Sequence, residues 1–131
     1  MRTNIRYYAQ SIALNEVQLA FVGHELVGTL RVLPREPIVW PEIVEDDAVY
    51  VHTLAVKRAG TDQRLGHHML DWAGARAATL QRTYVRLDCV TDNTFLRDYY
   101  SQAGFNERGE IDAQFPARVG MLRLQRYEKR V

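Results

Sequence analysis

Residues 48–56 read AVYVHTLAV, a nearly unbroken run of apolar and β-branched side chains. Such a run is typical of a central strand that is buried on both faces. A helix is predicted next, because apolar residues and alanines recur at helical spacing, and a second β-prone run covers residues 83–90. A strand, a helix and a strand in series imply a right-handed crossover and therefore a parallel pair. The helical spacing is carried by Leu65, Met69, Trp72, Ala73, Arg76 and Leu80.

Before the central strand, the sequence predicts a short helix, a hairpin and a loop. Residues 17–22 and 26–33 are β-prone and flank a turn at Gly23, which predicts the hairpin. Gly28 lies inside the second of these strands and indicates a bulge or a close backbone approach. Three prolines within residues 34–41 exclude regular structure there. The opening helix is predicted from the spacing of Ile5, Tyr8, Ala9, Ile12 and Ala13.

After the central strands, residues 94–103 predict a helix that stops before Gly104. Residues 105–111 and 118–127 predict a closing strand pair. The predicted order is α-β-β-β-α-β-α-β-β, which is an α/β fold with a mixed, mostly antiparallel sheet and helices on both faces. Because no linker or repeat divides the chain, residues 1–131 are expected to form a single domain.

Composition excludes several classes of protein. The formal net charge is +1, which predicts no basic surface for a nucleic-acid partner; four arginines near the C-terminus are interpreted as a solvated strand face. One cysteine excludes an intrachain disulfide and multi-thiolate metal sites. Residues 1–10 lack the apolar core of a signal peptide and no run is long enough to span a bilayer, so a cytoplasmic protein with no membrane partner is expected. The arginines are Arg118, Arg123, Arg126 and Arg130.

The connection between the central strand and its helix has the chemistry of an anion site. The first N–H groups of a helix have no internal partner and carry partial positive charge, so they bind phosphate groups. This signal is weak alone, because every strand–helix connection has a free helix N-terminus. The connection adds polar and cationic residues, which are Lys57, Arg58, Thr61, Gln63 and Arg64.

Four segments then resemble the GNAT acetyltransferase core in order and spacing: YVHTLAV at 50–56, DQRLGHHMLDWA at 62–73, YVRLDCVTDN at 84–93 and LRDYYSQAGF at 96–105. In that family a Leu-Ala-Val strand leads into a Gln/Arg-x-x-Gly-x-Gly/Ala loop. An asparagine follows, then a tyrosine seven residues later and Gly-Phe four residues after that. Their counterparts here are Asn93, Tyr100, Gly104 and Phe105.

The resemblance implies acetyl-CoA as co-substrate and assigns roles to individual residues. Asn93 is expected to hydrogen-bond the pantetheine or its surrounding loop, and Tyr100 to act as general acid beside the thioester sulfur. The backbone of three strand residues would bind the pantetheine arm, and six loop residues would surround the pyrophosphate. The strand residues are Leu54, Ala55 and Val56; the loop residues are Thr61, Asp62, Gln63, Arg64, Leu65 and Gly66.

The chain departs from the family pattern in two places. Thr61 and Arg64 replace the leading Gln/Arg and the first glycine of the loop. An arginine with positive φ would cost about 1 kcal/mol, so either the loop is reshaped with Arg64 pairing with a phosphate, or CoA binding is weakened. The family also has a further strand and helix before the hairpin. An N-terminally shortened fold would leave the acceptor side open or covered by a second subunit; the third alternative is that the sequence is a fragment. A homodimer through the C-terminal strands would cover a sheet edge.

The base that deprotonates the amine has several candidates. His52 lies two residues before Leu54 and is a candidate because histidine is a common general base, although a core histidine is the alternative. Tyr100 has a packing role as its alternative, with Tyr99 facing outward. Cys89 is interpreted as a buried hydrophobe, so direct transfer is expected. Carboxylates at Glu45, Asp46, Asp47 and Asp88 are rivals to His52.

Two further features have ordinary readings. The adjacent His67 and His68 point about 100° apart on a helix, so no metal site is expected. Trp40 is a candidate for lining the acceptor cleft, and the acidic stretch 42–47 would suit a cationic acceptor. The sequence thus predicts N-acetylation of a primary amine of a small molecule or peptide. The alternative is a CoA-binding or interaction module without turnover.

Overall fold

A seven-stranded sheet and two helices form the computed structural model, which describes residues 5–9, 17–56, 64–116 and 120–131. The spatial strand order is β1-β2-β3-β4-β5-β7-β6. The elements in chain order are β1 (Ile5–Ala9), β2 (Val17–Val22), β3 (Glu25–Leu33), β4 (Ala48–Val56), α1 (Leu65–Thr79), β5 (Tyr84–Val90), α2 (Thr94–Gln102), β6 (Asn106–Ala113) and β7 (Leu122–Arg130).

The pairing confirms the predicted mixed and mostly antiparallel sheet. Strands β4 and β5 run parallel, as the crossover through α1 requires, and every other neighbouring pair is antiparallel. The parallel ladder is short: it begins at Ala48↔Tyr84 and its last pair is Tyr50↔Arg86. Both strands continue past that pair, to Val56 and Val90, without pairing to each other. The sheet therefore opens between β4 and β5.

The opening helix predicted for the N-terminus is wrong where the structure describes it. Ile5–Ala9 is strand β1, which pairs antiparallel with β2 in the register Ile5↔Val22. The segment IRYYA contains isoleucine and two tyrosines, which favour strands, and the edge of β2 supplies hydrogen bonds that a single helical turn lacks. Ile12 and Ala13, which completed the helical spacing, lie outside the described residues.

Gly28 has the close approach that its place in a strand predicted. A Cβ on this residue would lie 2.7 Å from the Met69 sulfur and 3.0 Å from the Ala55 carbonyl oxygen. The β2–β3 register also shifts beside it, because Ala20 pairs with Gly28 whereas Phe21 pairs with Leu26. Helix α1 therefore packs directly on the backbone of β3.

Two buried clusters lie on opposite faces of the sheet. Val49 and Val51 of β4 belong to the first cluster, and both helices contribute to it through Met69 and Tyr100. Ala48 and Tyr50, which alternate with these valines, belong to the second cluster. That second face is covered by residues 34–47, which connect β3 to β4 and which we call the proline loop; its buried members are Val39 and Trp40. Helices were predicted on both faces, whereas within the described ranges α1 and α2 share one.

Arg86 joins the elements that meet where the parallel ladder ends. Its guanidinium donates hydrogen bonds to Glu128 at 2.7 Å, to Asp47 at 2.8 Å and to the Tyr50 hydroxyl at 3.0 Å. It also lies over the rings of Trp40 and Tyr84, at 5.4 Å and 4.9 Å from their centroids. Burial alone would lower the pKa of Arg86, but the hydrogen bonds to Asp47, Glu128 and Tyr50 raise it above its usual value.

Replacing Arg86 with methionine will strongly destabilise the protein. Asp47 and Glu128 would lose a cationic partner whose side chain is 3% exposed, and removing one partner of a buried pair costs about 3–5 kcal/mol. Urea unfolding measures the loss. Arg35→Met is the control: Arg35 pairs with Asp46 at 2.7 Å, but its side chain is 63% exposed, so we expect a loss below about 1 kcal/mol. Equal losses in the two variants would refute the role of Arg86.

Candidate active site

Strand β4 changes phase as it passes the end of the parallel ladder. Val49 and Val51 pack on the helix side, and so do Leu54 and Val56 farther along. The residues of β4 that face the helices thus change from odd-numbered to even-numbered positions, which requires one extra residue in the strand. The β3–β4 register shows the same irregularity, because Arg31 pairs with His52 whereas Thr29 pairs with Ala55. Such a β-bulge leaves backbone groups of the bulged strand unpaired, here beside the opening.

His52 and Asp88 flank the opening on the face away from the helices. Tyr50 and Arg86 form the last parallel pair, and His52 and Asp88 are the next positions on that face of each strand. Glu36 of the proline loop joins them: its Oε2 lies 3.4 Å from Nδ1 of His52. A histidine and two carboxylates, contributed by three separate elements, therefore meet at the opening. We call these three residues the acid–histidine cluster.

Both carboxylates of the acid–histidine cluster are desolvated. Burial raises the pKa of Asp88 to about 6, and the nearby His52 only partly opposes this. Burial likewise raises the pKa of Glu36 above its ordinary value, against opposing effects of His52 and Arg31. A carboxyl group with a pKa near 6 is suited to exchanging protons with an amine or a histidine close to neutral pH.

Other acidic residues of the proline loop have arginine partners. Glu42 pairs with Arg126 at 2.7 Å, Asp46 with Arg35 at 2.7 Å and Asp47 with Arg86 at 2.8 Å. The stretch 42–47 was a candidate for attracting a cationic acceptor, and these pairs neutralise much of its charge. Glu36 was missed, because nothing in the segment Arg35-Glu36-Pro37 distinguishes it from a solvated loop residue.

Tyr100 lies on the helix side, across the sheet from His52. It is buried, with ring centroids of Tyr127 at 5.6 Å and of Phe105 at 6.2 Å. This is the packing role that the sequence allowed as an alternative. Burial, with smaller effects from Cys89 and Asp88, raises the pKa of Tyr100 above its ordinary value. Its hydroxyl therefore stays protonated at neutral pH and is a hydrogen-bond donor.

Arg64 has none of the backbone strain that was considered for it. The residue is the N-cap of α1 with φ −82° and ψ −5°, which is right-handed helical geometry that any residue adopts. Its side chain makes no cap hydrogen bond, and the first turn of α1 contains no acidic residue. The first turn of α1 therefore contributes no carboxylate that would compensate the positive end of the helix dipole. Leu65 and Gly66 follow and are buried, whereas Thr61, Asp62 and Gln63 lie outside the described residues.

Tyr99 contacts the first turn of α1, whereas the packing alternative for Tyr100 predicted that Tyr99 would face outward. A Cβ on Gly66 would collide with the Tyr99 hydroxyl, and this hydroxyl accepts a hydrogen bond from the backbone N–H of His67. The rings of Tyr99 and His67 are 4.4 Å apart. Gly66 is therefore required by contact with α2, and that contact was not evident from the glycine in the motif.

The remaining predicted cofactor residues lie around the opening. Asn93 is the N-cap of α2, and its Oδ1 accepts the backbone N–H of Leu96 at 3.1 Å, so its carbonyl oxygen is occupied by a structural role. Ala55 and Val56 pair with β3 along one edge, while the other edge of β4 has no β5 partner after Tyr50. Leu54, Ala55 and Val56 thus have an edge free of strand pairing toward the opening.

Cys89 is a poor nucleophile in this setting. It is 5% exposed within the first cluster, and burial followed by the charge of Asp88 raises its pKa to about 11. Since the thiolate is the reactive form, this agrees with its interpretation as a small buried hydrophobe. Among the described residues, no group of three or more histidine, cysteine or carboxylate side chains is arranged to hold a metal ion.

Asp88→Asn will stabilise the protein at pH 8 but not at pH 4. Burial raises the pKa of the native Asp88 carboxyl from 3.8 to about 6, so this group holds its proton more tightly in the native state. Wild-type stability therefore falls as the pH rises from about 4 to about 6 and beyond. This pKa shift corresponds to a loss of about 3 kcal/mol in the free energy of unfolding of the wild type at high pH. The asparagine variant has no carboxyl group there and avoids that loss. Urea unfolding across pH 4–8 measures the difference. Asp98→Asn, at an exposed position of α2, is the control; parallel curves for wild type and Asp88→Asn would contradict the burial of this charge.

Gly66→Ala will destabilise the protein because of Tyr99. A methyl group would push the Tyr99 hydroxyl away from His67, at a cost of about 1–3 kcal/mol. In a Tyr99→Ala background the same change should be neutral or stabilise by up to about 1 kcal/mol, since alanine favours helices. Gly74→Ala is the control, because its Cβ would approach only a side-chain atom of Val131, at 3.1 Å. Thermal unfolding of the double-mutant cycle tests the coupling, and additive effects would exclude it.

Comparison with known proteins places the opening in context. The family model of the acetyltransferase (GNAT) family matches residues 4–105. The chain is 32% identical over 89 residues to the uncharacterized N-acetyltransferase YesJ of Bacillus subtilis (strain 168), an alignment that covers 65% of this chain and 49% of YesJ. The chain thus spans about half the length of this curated relative.

Solved structures share the fold. A GNAT-family acetyltransferase from Listeria monocytogenes 4b F2365 superimposes with a TM-score of 0.75 at 24% identity, covering 92% of this chain and 67% of that one. A Bacillus subtilis acetyltransferase in complex with CoA gives 0.66 at 16% identity, with 88% and 76% covered. The protein yncA from Salmonella typhimurium, with its cofactor acetyl-CoA, gives 0.63 at 14% identity, with 87% and 63% covered. In the described part of the chain, neither helix is long and apolar enough to cross a membrane.

Proposed function

Because the chain belongs to the acetyltransferase (GNAT) family, we propose that it transfers an acetyl group from acetyl-CoA to a primary amine of a small molecule or peptide. The observation that carries this proposal is the opening between β4 and β5. Tyr100 lies on one side of the sheet at this opening, and His52 lies on the other. A thioester in the opening would meet a hydrogen-bond donor from the helix side and a proton acceptor from the opposite face.

The backbone around the opening supports acetyl-CoA as the co-substrate. The unpaired edge of Leu54–Val56 offers hydrogen bonds to an extended amide-containing arm such as pantetheine. The N-terminus of α1, with no acidic residue in its first turn, favours a pyrophosphate. In this proposal Thr61, Asp62, Gln63, Arg64, Leu65 and Gly66 surround the pyrophosphate, and the side-chain amide of Asn93 donates to the pantetheine region.

The reaction follows from the two sides of the opening. The acceptor enters as R–NH₃⁺ and gives a proton to His52; the neutral amine then attacks the thioester carbon, and a C–N bond forms. A backbone N–H freed by the β4 bulge stabilises the developing oxyanion. The C–S bond breaks next, the nitrogen loses its second proton, and CoA leaves as the thiol. The net products are the acetamide, CoA–SH and one proton.

Tyr100 assists departure of the sulfur as a hydrogen-bond donor. Because burial raises its pKa above the ordinary value, complete proton transfer to a thiolate, whose pKa is about 8.5, is unfavourable. A hydrogen bond from the protonated hydroxyl still stabilises the negative charge on sulfur in the low-dielectric cluster. The general-acid role is therefore proposed in this restricted form.

The charge at the opening favours an ammonium as the acceptor. Glu36 and Asp88 place two desolvated carboxyl groups around His52, and a cationic acceptor would offset their desolvation. A homodimer and a cytoplasmic location remain predictions of the sequence. The competing function, a CoA-binding module without turnover, differs in a measurable way, because it requires binding but no acetyl transfer.

Tyr100→Phe will separate catalysis from cofactor binding. We expect micromolar binding of acetyl-CoA by calorimetry in both proteins, with Kd unchanged within about 2-fold. Transfer to a panel of polyamines, aminoglycosides and amino acids should fall by about 10²-fold in kcat, the lower end of acid–base contributions. Tyr127→Phe, which removes a hydroxyl from the same cluster, is the control and should keep its kcat.

Two results would overturn the proposed function. Absence of acetyl-CoA binding by the wild-type protein would remove the cofactor. Tight binding without transfer to any amine of the panel would favour the module without turnover. If Tyr100→Phe and Tyr127→Phe lose activity equally, Tyr100 contributes to packing only.

A further inference from the structure

We propose that Glu36 is a positioning residue for His52: it holds Nδ1–H of the imidazole toward the proline loop and leaves Nε2 facing the opening as the proton acceptor. This inference rests on the proposed function for its catalytic meaning, but the positioning itself is a property of the free protein. Nε2 is the nitrogen left for the acceptor once Nδ1 is assigned. Two ring nitrogens are thereby given two different tasks.

The backbone of Glu36 is anchored. Its carbonyl oxygen accepts hydrogen bonds from the N–H groups of Trp40, at 2.8 Å, and Val39, at 3.2 Å. Trp40 is 2% exposed, and the Val39 carbonyl in turn accepts from Arg126 at 3.2 Å. The turn that carries Glu36 is thus bound to the second cluster and to β7. A carboxylate on such a turn can orient a neighbour, because its own position is determined by packing.

His52 is restrained in a matching way. Its Nδ1 lies 3.4 Å from Oε2 of Glu36, slightly longer than a standard hydrogen bond, as is common for catalytic contacts before substrate binds. The Phe115 ring is 6.1 Å away, centroid to centroid. The Glu36 side chain is only 10% exposed and the His52 side chain 31% exposed. The carboxylate is therefore removed from water toward the imidazole, which keeps part of its surface accessible.

The other charged groups around His52 do not take over this task. Asp88 of β5 affects it electrostatically from across the opening, and Arg31 of β3 pairs with it in the strand register. Within the described residues, the ion-pair contact of His52 is with Glu36. An orienting carboxylate on Nδ1 also stabilises the imidazolium that forms when Nε2 accepts the proton of R–NH₃⁺. That proton leaves to water after acetyl transfer, which restores the neutral ring.

The tautomer of His52 tests the positioning without any substrate. Long-range ¹H–¹⁵N NMR at pH 8 distinguishes Nδ1–H from Nε2–H, and His52→Gln identifies the signal among the four histidines. We expect Nδ1–H in wild type and in Glu36→Gln, whose amide oxygen still accepts, and Nε2–H in Glu36→Ala. The same tautomer in wild type and Glu36→Ala would overturn the proposal, provided that the backbone amide spectrum shows both proteins folded.

Kinetics test its consequence. We expect Glu36→Ala to lower kcat at least about 10-fold, below the roughly 10⁴-fold seen for a fully buried carboxylate–histidine pair, with KM for acetyl-CoA unchanged. Glu36→Gln should lie between, since it keeps the hydrogen bond and loses the charge. Asp98→Asn removes an exposed carboxylate of α2 and should keep its kcat. Unchanged kcat in Glu36→Ala would refute the inference and leave the proposed function standing. A wild-type protein that is inactive on every amine would instead refute the proposed function. The NMR result would still decide the role of Glu36 in that case.

Discussion

The buried guanidinium of Arg86 is the interaction on which the rest of the structure depends. It joins β5 to Tyr50 of β4, to Asp47 of the proline loop and to Glu128 of β7. These contacts lie at the last parallel pair, where the sheet begins to open. A cation at this position fixes four elements against one another. The separation of β4 from β5 therefore begins at a point where their relative positions are fixed. The Trp40 and Tyr84 rings add cation–π contacts to these hydrogen bonds. The guanidinium can make both kinds of contact because it is planar and permanently charged.

Acidic side chains in this region have two different electrostatic environments. Carboxylates that support the fold are matched with arginines, as Asp47 and Glu128 are with Arg86. In the acid–histidine cluster, by contrast, Glu36 and Asp88 are desolvated beside a histidine. Groups that lower the stability of the free protein while lying at an opening are typical of functional sites, where the compensating partner is a ligand. The location of these desolvated carboxylates therefore separates the candidate site from its scaffold.

Much of the fold followed from patterns within single elements. The buried run 48–56, the periodicity of α1 and the glycine after α2 each report on local structure, and each prediction agrees with the observed strand, helix and C-cap. The opening strand was misassigned because five residues can satisfy helical spacing by chance, while pairing with β2 is a non-local interaction that the segment itself does not encode. Tyr99, Glu36 and the capping role of Asn93 were missed or incomplete for a similar reason: contacts between α1 and α2, between loop and strand, and within a cap depend on how elements meet.

The short parallel ladder has a mechanical consequence. Strands β1 to β4 form one continuous hydrogen-bonded ribbon and β5, β7 and β6 form another, and only three backbone pairs connect the two. The sheet therefore consists of two plates that are joined by these three backbone pairs. The pairs determine how far apart the plates lie in the gap beyond them. An extended ligand lying in the gap would bond to one plate and touch the other. It would complete a surface that the polypeptide leaves discontinuous, so the ligand would add contacts between the two plates beyond the three backbone pairs that connect them.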